Sequence, residues 1–253
     1  MFEIATHLAL LLILAAFVAG FVDSIAGGGG LIAMPMLLIA GATPLEALAT
    51  NKLQGAFGAG TATVAYARAG HVRLKDQLGM AAVSALAAAA GALVAKSTPA
   101  DVLRIIMPVI LVAVAAFFAL KPGLSDASRS QRMAPALFTF TAVPLIAAYD
   151  GFFGPGTGSF FMLAFVMLAG FGMLKATAHT KLLNFASNIG SLCIFIPSGA
   201  MWWGVGLGMS VAQIAGATLG ARMAMRIGAR LIKPLIVTVS IAMALRLLWQ
   251  ALG

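Results

Sequence analysis

The sequence predicts an all-α polytopic membrane protein: a transmembrane helical bundle of about ten segments, arranged as two inverted five-segment repeats with broken or short helices after Gly-rich motifs. Three observations predict it. Of 253 residues, 62% are hydrophobic and 9% charged, with a mean hydropathy of +1.04. A soluble domain is about 45–50% apolar and about 25% charged, so this chain lacks the polar surface to cover a water-facing globule. Charge-poor runs of bilayer-spanning length recur along the chain, and the chain resembles itself. A shift of about 129 positions brings Gly27 and Gly29 onto Gly156 and Gly158, Lys52-Leu53 onto Lys181-Leu182, Leu78-Gly79-Met80 onto Leu207-Gly208-Met209, and Gly91-Ala92 onto Gly220-Ala221. The same composition excludes disorder and most soluble enzymes. One Cys and three scattered His exclude a disulfide framework and argue against a metal site, and no cofactor is expected.

A bilayer core takes about 20 apolar residues per helix. Residues 4–22 open the series. Met1-Phe2-Glu3 lack the basic start of a secretory signal, so a retained helix is expected. Residues 31–40 form a short run directly after glycines. Residues 45–66 are long enough to span but carry Glu46, Asn51, Lys52 and Gln54. Residues 77–95 and 102–120 complete the first repeat, 1–120, and a basic cytoplasmic linker, 121–134, leads to the second, inverted repeat, 135–253. There the order returns: 136–149, the short 159–169, the polar 176–196 with His179, Lys181, Asn184 and Asn188, then 203–221 and 235–248.

The charges decide how the halves are oriented. The chain has 16 Lys plus Arg against 7 Asp plus Glu, a net +9. With five crossings per half, Arg68, Arg73, Lys75, Lys121, Arg129, Arg132, Lys175, Arg222, Arg226, Arg230 and Lys233 collect on one side, and only Lys96, Arg104 and Arg246 fall near the other. Four crossings per half would split them evenly. The positive-inside rule favours five plus five inverted crossings, with both termini outside. No basic soluble domain exists to hold nucleic acid, so the charge is a topology signal.

Two segments interrupt the helices: Asp23-Ser24-Ile25-Ala26-Gly27-Gly28-Gly29-Gly30-Leu31 and Asp150-Gly151-Phe152-Phe153-Gly154-Pro155-Gly156-Thr157-Gly158-Ser159. Consecutive glycines disfavour helix, and Gly-Pro-Gly removes a backbone donor. The helices that follow are short, so their N-terminal amides and positive dipole ends are expected inside the membrane, an anion site built without cationic side chains. Glycines used only for close helix packing are the plainer reading, and suit Gly55, Gly58, Gly60, Gly91 and Gly220. Broken helices at equivalent places in two inverted halves point instead to a transport site.

Lys52 and Lys181 lie in apolar runs at matched positions. A Lys in the bilayer core costs about 2.5–3.5 kcal/mol on insertion scales, which calls for a partner, a function or snorkelling to an interface. Thr177, Lys181, Asn184, Asn188 and Ser191 share one helix face, expected to line a cavity; the matching face of Lys52, Gly55, Ala59 and Ala62 is small, with Lys52 framed by Asn51 and Gln54. Two lysines and two helix N-termini select an anion, with Asn184, Asn188 and Thr180 as neutral donors. Asp23 and Asp150 read either as N-cap or turn residues or, like His179, as proton-coupling groups. No nucleophile and base stand together, so an enzyme is not expected.

The Asp-Ser-Ile-Ala-Gly-Gly-Gly-Gly-Leu-Ile stretch followed by Pro35, Thr50-Asn51-Lys52, Gly154-Pro155-Gly156-Thr157-Gly158 and Thr180-Lys181 resemble the TauE/SafE family, the 4-toluene sulfonate uptake permeases. The resemblance runs through both halves. It implies a multi-pass inner-membrane transporter of sulfur-containing or organic anions such as sulfite, sulfoacetate or other organosulfonates, with the glycine motifs, Lys52 and Lys181 at the matching positions. The function expected is alternating-access secondary transport of such an anion, with a passive anion channel as the alternative. The partners expected are the small anion, the lipid bilayer and a proton or other coupling ion; a homodimer stays open.

Overall fold

The computed structural model describes residues 5–120 and 130–228. Within them the chain is helical, without strands. In order the helices are α1 (Thr6–Ala26), α2 (Gly29–Ile39), α3 (Pro44–Arg68), α4 (Leu78–Ser97), α5 (Ala100–Leu120), α6 (Pro135–Phe140), α7 (Ala142–Phe152), α8 (Thr157–Met167), α9 (Met173–Phe195) and α10 (Trp203–Ile227), with short 3-10 turns at Leu74–Gln77 and Ile196–Ser198. The predicted segment at 235–248, Lys121, Arg129, Arg230, Lys233, Arg246 and most of the linker lie outside the described residues.

One predicted segment, 136–149, is two helices. Pro144 cannot donate to the Phe140 carbonyl, and its ring crowds that carbonyl. α6 therefore stops at Phe140, and Thr141 (φ −124°, ψ −66°) joins it to α7. The other predicted segments in the described range coincide with helices to within a few residues. Thr6–Ala26, Leu74–Ser97, Pro135–Phe152 and Trp203–Ile227 are long and apolar enough to cross a bilayer. α3 and α9, with 25 and 23 residues, are also long enough, but bury Lys and amide side chains. A capping box fixes the start of α3: Glu46 accepts from the Thr43 amide at 2.7 Å, and Thr43 Oγ1 accepts from the Glu46 amide at 3.4 Å.

The helices pair reciprocally between the halves. α1 packs on α10 and α4 on α7; α3 packs on α10 and α4 on α9; α3 and α9 meet each other. Small residues make these contacts close. A methyl at Gly91 of α4 would collide with the Ala148 carbonyl of α7, one at Gly216 of α10 with the Phe17 carbonyl of α1, and one at Gly190 of α9 with the Ala85 carbonyl of α4.

Each glycine segment is the tip of a helical hairpin. α2 folds back on α1, and α8 on α7. The second hairpin returns to where it began, because the Arg132 and Met133 amides donate to the Leu168 carbonyl at 2.9 and 3.0 Å. The tips touch: the Ser159 amide donates to the Gly27 carbonyl at 3.2 Å, and Ser159 Oγ to the Ala26 carbonyl at 2.7 Å. Gly27 takes φ +80° and Gly156 φ +84°, a left-handed conformation that turns the chain between the arms.

Candidate functional site

Polar side chains from both halves converge where the hairpin tips meet α3 and α9. The stripe Thr177, Lys181, Asn184, Asn188 and Ser191 is buried along its length, as are Asn51, Lys52 and Gln54. α3 and α9 bring these faces together beside the tips and enclose a cavity of about 30 Å³. That volume suits one or two waters. Asp23, Gly27, Gly29, Gly30, Asn51, Lys52, Asp150, Gly154, Gly156, Gly158, Asn184 and Asn188 line it, together with Gly55 and Gln213.

The lysines are paired across the halves. Lys52 Nζ, from the first half, lies 2.8 Å from Asp150 Oδ1 of the second, with side chains 1% and 3% exposed. Lys181 Nζ, from the second half, lies 3.5 Å from Asp23 Oδ2 of the first, and donates to the Asp23 backbone carbonyl in the last turn of α1. An ammonium there also neutralises the negative end of the helix dipole. Snorkelling is therefore excluded for both residues in this conformation: each is buried and engaged.

The carboxylates hold further donors. Asp150 Oδ2 accepts from Ser187 Oγ at 2.5 Å, and Asp23 Oδ1 accepts from the Gly29 amide at the start of α2 at 3.4 Å. Asp23 thus takes an N-cap-like bond, although the residue in the cap position is Gly28, which is buried next to the cavity lining. Thr157 closes the second tip by donating to the Gly154 carbonyl at 2.6 Å. Thr180 is 1% exposed, and its hydroxyl has no hydrogen-bond partner among the described residues. His179 stands apart from the cavity, half-buried against Phe171 and Phe165 with ring centroids 4.8 and 5.7 Å away.

Sequence reasoning missed Gln213 and Ser187. Gln213 Nε2 donates to Gln54 Oε1 at 2.8 Å, and Gln54 Nε2 to Asn51 Oδ1 at 2.8 Å. This chain of amides leaves Asn51 Nδ2, a donor, beside Gly30. The available signal was a lone amide in the middle of α10, whose charged residues, Arg222 and Arg226, lie near its end. Its counterpart at the repeat offset is Ser84, which donates to the Leu183 carbonyl at 2.9 Å, so the two halves differ here.

A larger groove of about 760 Å³ runs between α3, α9 and α10, with apolar walls and with Arg68 and Arg222 among its lining residues. Phe185, on its wall, packs against Gly60, three residues before the cavity-lining Asn188.

Helices of spanning length, tips that meet and a polar cavity enclosed by both halves are the anatomy of a transporter. The profile of the sulfite exporter TauE/SafE family matches residues 12–247. The chain belongs to that family. Among relatives of this TauE/SafE protein, the probable membrane transporter protein ORF9 of Sinorhizobium sp is 59% identical over 246 residues, 97% of this chain and 94% of that protein. The probable membrane transporter protein YfcA of Escherichia coli K12 is 44% identical over 253 residues, 100% of this chain and 94% of that one. A probable membrane transporter protein of Haemophilus influenzae is 40% identical over 248 residues, 98% of this chain and 97% of that one. No solved structure matches the chain. The TauE/SafE chain is accordingly a multi-pass membrane protein of a transporter family.

Proposed function

We propose that this protein is a secondary transporter that moves a small sulfur-containing or organic anion, such as sulfite, sulfoacetate or another organosulfonate, across the bacterial inner membrane by alternating access. The observation that carries the reading is the convergence of buried Lys52, two glycine hairpin tips and the amides of Asn51, Asn184 and Asn188 on one cavity built equally by both halves, with Lys181 behind the cavity-lining Asp23. Glycines leave the backbone bare where a ligand would approach. The halves would rock around the tips, in the way that repeat-built transporters expose one site to each side in turn. A cavity of about 30 Å³ holds water rather than an anion, so the site must open to load, as the site of an alternating-access carrier does. The side rich in Lys and Arg would be cytoplasmic and the termini periplasmic.

The purified protein, exposed to sulfite, thiosulfate, sulfoacetate and simple carboxylates, tests this. A transported anion raises thermal stability, by about 2.7 kcal/mol at a hundredfold excess over its Kd. In proteoliposomes it accumulates against its own gradient. Stabilisation by none of these anions overturns the reading, and down-gradient flux that does not saturate with anion concentration replaces the carrier with a channel.

A further inference from the structure

We propose that Asp23 and Asp150 are tethered ligands of the anion site: in the unloaded protein each carboxylate occupies a lysine of the opposite half, and the transported anion takes that place as a proton is taken up by the carboxylate it displaces. This rests on the anion-transport reading above and adds how the site is emptied, filled and coupled.

The geometry points to displacement. A site of lysines, amide donors and a helix start should welcome an anion, yet both lysines already hold one from the protein itself. Asp23 bridges the Lys181 ammonium and the Gly29 amide, two groups expected of the anion site. Asp150 uses one oxygen on Lys52 and the other on Ser187. A cavity of about 30 Å³ has no room for an oxyanion beside them. Something lining it must move. The tips are pinned by the Ser159 bonds to Ala26 and Gly27, whereas a carboxylate leaves by rotating about its own side-chain bonds.

Charge requires the proton. Two ammonium groups and two carboxylates balance, so the unloaded site is neutral as a set. An added anion in a site of low polarity leaves one negative charge uncompensated. One proton restores neutrality: it bonds to an oxygen of the displaced carboxylate, and the donor of the lysine that this carboxylate held turns to the anion. The groups that face each carboxylate set this balance. Around Asp23 they are Lys181 of α9, Tyr66 of α3, whose hydroxyl donates to the Ser24 carbonyl at 3.0 Å, and the Gly29 amide of α2, with neutral Gln213 of α10 on the same cavity. Around Asp150 they are Lys52 of α3, Ser187 of α9 and its neighbour Tyr149, whose hydroxyl donates to the Pro155 carbonyl at 2.7 Å; α4 meets α7 here through Ala88. The pairs are unequal. Asp23 is 14% exposed and 3.5 Å from its lysine, Asp150 3% exposed and 2.8 Å from its own, so Asp23 is the carboxylate released first.

The test is equilibrium binding of methanesulfonate, whose charge does not change through the neutral range, to the full-length purified protein as a function of pH. Wild-type affinity should rise as pH falls, approaching tenfold per pH unit where one proton is taken up per anion, on the order set by linkage. Asp23→Asn should bind more tightly than wild type at neutral pH and lose most of the pH dependence. Ser187→Ala keeps every charge and weakens the grip on the Asp150 carboxylate, so it should move the Asp150 share of the pH dependence to higher pH; an unmoved profile removes Asp150 from the inference. The wild-type pH dependence carries the test if Asp23→Asn does not fold. Wild-type binding that is flat with pH, or Asp23→Asn binding more weakly than wild type, overturns the inference and leaves the anion site intact. Binding of neither methanesulfonate, sulfite nor thiosulfate by any form overturns the transport reading, and this inference with it.

Discussion

At the scale of single residues, the site is governed by the cost of burying charge. Lys52 and Lys181 stand in apolar runs, and that position alone demands partners. Their partners are acids of the other half. Breaking a buried pair from one side strands a charge at a cost of about 3–5 kcal/mol. Lys52→Ala is therefore expected to lower the stability of the purified protein by about that amount in denaturant titration, and Lys52→Ala with Asp150→Ala together by clearly less than the sum of the two single changes. The amide chain from Gln213 through Gln54 to Asn51 makes a second prediction. Gln54→Leu removes the bond that orients Asn51, and anion affinity should fall by about 1 kcal/mol, roughly fivefold, in binding measurements, with the fold unchanged. Lys181, Asn184 and Asn188 were legible as a buried face because a polar stripe at helical spacing cannot face lipid, and Lys52 stood out only as the residue at the matching offset. Gln213 was not, since a lone amide in an apolar helix has no spacing to reveal it.

At the scale of elements, the glycine segments act as hairpin tips, and their glycines are not equivalent. Gly27 has φ +80°, and a methyl on it would collide with the Gly158 backbone. Gly28 has φ −105°, and a methyl there meets nothing closer than 3.8 Å. Gly27→Ala should abolish transport in proteoliposomes and destabilise the protein by more than the about 1–2 kcal/mol that the left-handed conformation alone costs an L-residue. Gly28→Ala should retain both activity and stability; equal damage from the two would show that the tip-to-tip contact is not what Gly27 serves. The run Gly27-Gly28-Gly29-Gly30 announced a break, but four identical residues do not say which one carries the turn. The split of 136–149 was legible from Pro144, whose effect on Phe140 is purely local, yet hydropathy averaged across it.

At the scale of the whole molecule, helix pairs are exchanged between the halves: α1 with α10 and α7 with α4, α3 with α10 and α9 with α4. Each half thus packs its outer helices against the other half. The exchange is not symmetric in detail. The groove beside α3, α9 and α10 includes Thr61 and Thr218, whereas at the matching place α9 and α4 are sealed by Gly190 against Ala85. Alternating access would exchange these two arrangements. In a Cys193→Ser background, which removes the exposed native thiol, Thr61→Cys should react with a water-soluble maleimide in the unloaded protein and react several-fold more slowly under saturating sulfite at low pH. Labelling that is indifferent to anion and pH would sink an alternating role for this groove.

Membrane character, nearly every helix and the two glycine breaks in the described residues could be read from the chain alone, because hydropathy, proline and glycine act within a few residues of where they stand. So could the matching of Lys52 with Lys181, which share the offset of Gly27 and Gly156. Only the folded chain decided that the lysines are answered by Asp150 and Asp23 rather than standing free for a ligand. Those contacts join residues 98 and 158 apart, and local pattern says nothing about which distant acid a buried cation will meet. They form because the hairpin tips of opposite halves pack against each other, which places the acid before each tip beside the lysine of the other half.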